Sequence, residues 1–201
     1  MKKIAIVYHS GYGHTQRQAE HVAKGARAAG AQVSLIPAAE AESRFAELNA
    51  ADVIIFGALT YMGSVSAPFK AFMDSTSKLW QARAWQDKLA AGFTNSASWS
   101  GDKLNSLVQL MVFASQHGMI WTSLGLLPGN NASTGSRQDL NAMGSFVGAM
   151  SQSNADQGAD AMAESDLKTA EHLGRRVAEI ALRYHRQLQD FHQPDRALHA
   201  H

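Results

Sequence analysis

Apolar positions along this chain fall into two alternating rhythms. Lys3 to Tyr8 is a short β-branched run, apolar at successive positions, and ends in a Ser-Gly-Tyr-Gly turn. A run with no polar face predicts a strand buried on both sides of a parallel sheet. From His14 to Ala29 the apolar positions become Ala19, Val22, Ala26 and Ala29, a helical spacing that Gly30 is placed to end. Strands are predicted again at Gln32–Ile36, at Asp52–Phe56, at Lys88–Asn95 and at Met119–Leu124. Helices fall between them: one opened by Pro68, one over Leu104–Ser115, and a long one over Glu164–Leu188.

Strand and helix in alternation predict an α/β fold. Five strands in this rhythm suit a doubly wound five-stranded parallel sheet, order 2-1-3-4-5, with helices on both faces. Residues 1–190 read as one domain. Residues 128–163 break the rhythm, being rich in Gly, Ser, Asn and Met without a clear period. Irregular segments of that length are usually functional or disordered. This one follows the fifth strand and is expected near the rim of a site. Residues 191–201 read as a flexible tail.

Composition narrows the function. Of 201 residues 45% are hydrophobic and 17% charged, the net charge is +1, and there is no cysteine. That balance excludes a disordered chain and gives no footprint for nucleic acid or anionic membrane. Without cysteine there are no disulfides, thiolate metal sites or cysteine nucleophiles. The apolar run after Lys3 is cut short by His9, Ser10 and Gly11, too early for a secretory signal. No stretch reaches the ~18 apolar residues of a membrane span. The expectation is a soluble, cytoplasmic protein. His172 and His185 are 13 residues apart on the last helix and His192, His199 and His201 sit in the tail, so no metal site is expected.

Ligands of open parallel sheets bind beyond the carboxyl ends of the strands. Three loops lie there. Ser10-Gly11-Tyr12-Gly13-His14-Thr15 follows the first strand and opens the first helix. Glycines that let the backbone curl, flanking hydroxyls and a helix N-terminus suit a phosphate. The loop has no Lys for a triphosphate and no Gly-x-Gly-x-x-Gly for a dinucleotide, so one terminal phosphate fits it better, and position and composition together favour that over an ordinary turn. Ala58 to Ser64, with Thr60, Tyr61, Met62 and Gly63, and Asn95 to Gly101, with Ser96, Ala97, Ser98, Trp99 and Ser100, follow the third and fourth strands. Both mix small polar residues with flat or soft apolar ones, as a planar ring with polar edges requires. Either alone also fits a surface turn.

These residues carry a resemblance. Tyr8 to Thr15 resembles the phosphate loop of flavodoxin-like FMN proteins. Phe56-Gly57-Ala58-Leu59-Thr60, Gly63-Ser64, Pro68 to Asp74, Leu79-Trp80 and Gln116-His117-Gly118-Met119 resemble the WrbA-type NAD(P)H:quinone oxidoreductases. The likeness runs from residue 1 to about residue 126 and resumes in the last helix. It implies a flavodoxin-like fold and an FMN whose phosphate sits on Ser10–Thr15. Thr60, Tyr61 and Met62 would edge its ring, and Asn95–Ser100 would close the other side. Tyr12 would approach the nicotinamide, and Trp80 would wall a quinone pocket, of its own or a neighbouring subunit. Tyr12 and His117 become candidates to hydrogen-bond or protonate the quinone oxygen, with a structural histidine the equal alternative for His117. Trp85 reads as core, and Trp99 is open between the flavin and a subunit contact. The implied activity is two-electron transfer from NAD(P)H to a quinone by ping-pong kinetics, in a homo-oligomer, a tetramer by resemblance. The rivals are an FMN, azo or nitro reductase and a flavodoxin-type electron carrier, against which the +1 charge counts. The chain departs from the family in lacking an Arg next to Thr60 and in carrying Trp99 in a loop usually rich in glycine.

Overall fold

The computed structural model describes residues 1–191. Strand β1 (Lys3–His9) leads through helix α1 (His14–Ala28) to β2 (Gln32–Pro37), and α2 (Phe45–Ala50) leads to β3 (Val53–Tyr61). A two-residue strand β4 (Ser64–Val65) folds back on β3 before α3 (Ala67–Ser75) and α4 (Ser77–Gln81). Then follow β5 (Leu89–Ser96), α5 (Lys103–Gln116), β6 (Ile120–Trp121), β7 (Ala149–Gln152) and α6 (Glu164–Phe191). The main sheet runs β2-β1-β3-β5-β6, all parallel.

Alternate residues of the buried strands point to opposite faces. Ala5, Val7, Ile54 and Phe56 pack with Phe69 and Phe72 of α3 and with Leu107, Leu110 and Phe113 of α5. Trp85, fully buried, joins this cluster, so its reading as core holds. Ile4, Ile6, Val53 and Ile55 face Val22 of α1 and Leu173 and Val177 of α6. Two buried faces explain why these strands read as continuous apolar runs. Helices α1 and α6 touch at Gly25 and Gly174. A methyl on Gly25 would lie 1.8 Å from the Glu171 carbonyl oxygen, and one on Gly174 1.9 Å from that of Val22.

The sheet corrects two expectations. It has seven strands, not five, because β4 adds a hairpin and the fifth position is divided. Strand β6 pairs only with Leu89 and Ala90 at the start of β5. The chain then leaves the sheet and returns as β7, which pairs in parallel with Phe93–Ser96 at the end of β5. The predicted strand Met119–Leu124 is thus cut to Ile120–Trp121, and the segment 128–163, read as irregular, contains a strand. The base of the excursion is tied by Leu124 N–H to Phe146 O at 3.0 Å and Trp121 Nε1 to Val147 O at 2.9 Å. Inside it the buried Asn141 side chain donates to Ser145 O and accepts from Ser145 N–H, both at 2.9 Å. The tail expected at 191–201 lies, beyond Phe191, outside the described residues. No helix among the described residues is long and apolar enough to cross a membrane.

Candidate functional site

Because β1, β3 and β5 are parallel, the three loops that follow them open at one edge of the sheet. They enclose a cleft of about 310 Å³. Its walls are Ser10, Gly11, Tyr12, His14 and Thr15, then Leu59, Thr60 and Tyr61, then Asn95, Ser96 and Ala97, and last Ser153, Asn154 and Ala155. The volume reaches the lower end, about 300 Å³, of what ligand pockets offer.

Gly13 takes a left-handed conformation at φ 90° and turns the chain into α1 with no side-chain cap. The first backbone bond of the helix is Arg17 N–H to Gly13 O at 2.9 Å. The N–H groups of His14, Thr15 and Gln16 therefore have no partner within the helix, and the positive end of its dipole points at the cleft. Ser10 Oγ is buried there without a hydrogen-bond partner. Buried hydroxyls are normally paired, so this one has its hydrogen-bonding capacity left over for a group from outside the chain. His14 Nε2 donates to Gln157 O at 2.9 Å and ties the loop to the returning segment.

The second wall is the β3–β4 hairpin. Its turn residues, Met62 at φ 49° and Gly63 at φ 78°, both have the positive φ that a type I′ turn requires. Thr60 is buried and its hydroxyl is committed inward, donating to Ser106 Oγ at 2.8 Å and pairing with Thr94 Oγ1 at 2.8 Å. It anchors the wall. Tyr61 stands 64% exposed at the lip, opposite Tyr12 at 85%.

The third wall is fixed from behind. Asn95 donates to Ser153 Oγ and accepts from Ser151 Oγ, both at 2.8 Å. Gln152 Nε2 donates to Ala97 O at 2.8 Å, and Gln152 N–H donates to the buried Asp166 carboxylate at 2.9 Å. Lys103, the first residue of α5, is 1% exposed. Its Nζ donates to Ser96 Oγ at 2.7 Å and Ser98 O at 2.6 Å. Burial pulls its ammonium down to about 8, opposed by the charge of Asp166. Burial in turn pushes the Asp166 carboxyl up.

Not every expected residue reaches the cleft. Met62 and Gly63 form the turn beyond it, and Ser98 faces Lys103 with its carbonyl. Trp99 and Ser100 line a separate groove of about 1180 Å³ against the 142–150 segment. The reason is Arg137, whose guanidinium lies 3.8 Å from the Trp99 ring centroid. Trp80 and His117 line a third groove of about 580 Å³ with Met73 and Val112. Helices α3, α4 and α5 carry the chain back toward the start of β5, so both residues sit at the far end of the sheet.

His117 is a core residue in this fold. It is 2% exposed, stacks on Trp85 with ring centroids 4.4 Å apart, and donates Nε2–H to Thr76 Oγ1 at 3.0 Å. Thr76 Oγ1 in turn donates to Met73 O at 2.7 Å, which leaves it only the acceptor role toward His117. The ring is the neutral tautomer, and burial lowers its pKa to about 4. It cannot serve the cleft of its own subunit. The residues that sequence reasoning missed are Ser153–Ala155, Gln152 and Lys103. Only Lys103 left a signal: a cation as the first residue of a helix, where the dipole disfavours it.

Known proteins share the sequence and the fold. A model of the NADPH-dependent FMN reductase family matches residues 3–160. The chain is 48% identical over 188 residues to flavodoxin FldP of Pseudomonas aeruginosa, covering 92% of this chain and all of that protein. It is 34% identical over 204 residues to an NAD(P)H dehydrogenase (quinone) of Archaeoglobus fulgidus, covering 90% and 98%. The crystal structure of a WrbA-like flavodoxin from Agrobacterium tumefaciens shares the fold with a TM-score of 0.71 at 43% identity, over 91% of this chain and 99% of that one. The chain therefore belongs to the NADPH-dependent FMN reductase family, as a WrbA-like protein of flavodoxin fold.

Proposed function

We propose that this protein is an FMN-dependent oxidoreductase that passes two electrons from NAD(P)H to a quinone or similar small acceptor. The observation that carries the reading is the unpartnered Ser10 hydroxyl, in the loop that lines the cleft and opens α1. Ser10, Thr15 and the first N–H groups of α1 would hold the phosphate without any Lys or Arg. Tyr61, Asn95, Ser96 and Ala97 would border the ring. Bound FMN supplies two-electron chemistry, accepting hydride from a reduced nicotinamide and returning electrons to an acceptor. The protein binds, orients and keeps one face open. Tyr12 at the lip is placed to stack on the nicotinamide or to hydrogen-bond the acceptor oxygen. One open face shared by donor and acceptor gives ping-pong kinetics. The protein works in the cytoplasm as a homo-oligomer, a tetramer by family likeness. Trp80, half-exposed with Val112 on the α3–α5 side, would meet a flavin only in a neighbouring subunit.

The flavodoxin name of the relative 48% identical to this chain favours a second reading, an electron carrier that docks on a reductase. The separating experiment uses FMN-loaded protein, NADPH and NADH in turn, with and without benzoquinone. Nicotinamide oxidation that rises steeply with benzoquinone supports the enzyme. Equal rates with and without benzoquinone or any other small acceptor would overturn the enzyme in favour of the carrier, and acceleration by free FMN, azo or nitro compounds but not by benzoquinone would replace the quinone with those acceptors. A protein that takes up no FMN would overturn both.

A further inference from the structure

Lys103 is a buried cation without an ion-pair partner among the described residues. Both of its acceptors are neutral, the Ser96 hydroxyl and the Ser98 carbonyl. They belong to the loop whose other side forms the cleft wall at Asn95–Ala97. The nearby buried carboxylate, Asp166, spends its hydrogen bond on Gln152 N–H. A lysine at the first position of a helix also meets the wrong end of the dipole. A desolvated charge so placed is costly unless something opposite rewards it.

We infer that Lys103 is a positioning residue that holds the third wall and biases bound FMN toward its reduced, negatively charged state. This rests on the FMN reading above. Reduction by hydride adds two electrons and one proton, so the ring system gains one negative charge. The oxidised ring is neutral and gains little from a cation behind the wall. The reduced ring gains a Coulombic partner across one layer of backbone. A unit charge acting across such a layer, at an effective dielectric near 20, shifts the ratio of the two affinities by about tenfold. Asp166 acts with opposite sign on the same loop, since its charge opposes that of Lys103.

The test is the two-electron midpoint potential of the FMN-loaded full chain, measured against a reference dye, with the affinity for oxidised FMN measured in parallel. Lys103→Met and Lys103→Gln should each lower the reduced-over-oxidised affinity ratio by about tenfold, about 30 mV for a two-electron couple. Lys103→Arg should stay near wild type. Asp166→Asn, which keeps an oxygen for Gln152 N–H, should move the potential the other way. Lys103→Gln can still donate to Ser96 and Ser98, so it carries the test if Lys103→Met does not fold. A folded Lys103→Gln protein with unchanged potential overturns the inference, as does an Asp166→Asn shift of the same sign as Lys103→Met. Failure of the wild type to bind FMN is seen before any variant is made and marks the cofactor reading as the fault, ending this inference with it.

Discussion

Ser10→Ala should have opposite effects on the empty and the loaded protein. In the chain alone the Ser10 hydroxyl is buried and bonds to nothing. A buried polar group left unpaired costs about 1–3 kcal/mol, and alanine removes that cost while keeping the Cβ. The apo variant should therefore be about 1 kcal/mol more stable, a rise in Tm of about 2–4 °C for a chain of this size. With FMN present the same hydroxyl bonds a charged phosphate, an interaction worth about 1.5–3 kcal/mol. Its loss should weaken FMN about 10- to 100-fold. Flavin fluorescence quenching gives the dissociation constant, and thermal melts with and without FMN give the stabilities. Riboflavin, which lacks the phosphate, is the control and should bind wild type and variant alike. A variant less stable in the apo state, with FMN affinity unchanged, would show that the hydroxyl is structural and that the phosphate sits elsewhere.

Gly25→Ala and Gly174→Ala should each lower stability to urea by about 2–3 kcal/mol, because the new methyl meets backbone oxygen that cannot move unless α1 and α6 part. The double variant should lose less than the sum, since the first change already separates the helices. His117 makes stability fall in acid. The unfolded histidine takes a proton near pH 6.5 and the folded one only near 4, so between them the unfolded chain binds more protons. About 3 kcal/mol should be lost as pH falls through that window, and His117→Gln should flatten this part of the pH–stability curve. Met62→Asn should raise stability by about 0.5–1 kcal/mol, because asparagine tolerates the left-handed turn better. Because Met62 lies in the turn beyond the cleft, NAD(P)H oxidation should be unchanged, and a slowed turnover would bring Met62 into the site. Turnover with benzoquinone should vary little between low and high salt. A steep loss of rate with salt would signal charged docking of a partner instead.

Strands β1, β3 and β5 were legible because both faces of the sheet are buried, so every position of the strand had to be apolar. The loop after β1 was legible because the left-handed turn into α1, at Gly13 with φ 90°, favours glycine. Strands β6 and β7 were not. Two residues and four residues carry no period, and Ala-Met-Ser-Gln at β7 is held by pairing with β5 and not by an apolar face. His117 and Trp80 lie away from the cleft of their own subunit for a reason that connectivity alone contains. A helix that follows a strand returns the chain to the strand's beginning. A residue just ahead of the next strand therefore lies at the end of the sheet opposite the loops, and it can reach a cleft only in another subunit. Trp99 was open between two roles, and nothing in its own loop signals Arg137, 38 residues further on, which draws the ring away.

The balance of charge reads differently once it has a place. A net charge of +1 weighs against an acidic carrier, yet a relative 48% identical to this chain bears the name flavodoxin. Net charge averages over a surface, whereas docking and stacking are decided at the mouth of the site. Among the residues that line the cleft none is Asp, Glu, Lys or Arg. Its lip is Tyr12 and Tyr61, with Met62 beyond at 90% exposure. Flat and soft uncharged groups attract a ring and give a protein partner little to orient on. Of the cations near the cleft, Lys103 is buried behind the third wall, where it bonds the loop, and Arg137, exposed, lies over the Trp99 ring. Buried there, Lys103 cannot steer an incoming partner through screened water, but it can act on a charge that arises inside the cleft, where the dielectric is low. That arrangement fits the proposed activity, in which the cleft changes the charge of what it holds and hands electrons to small neutral molecules.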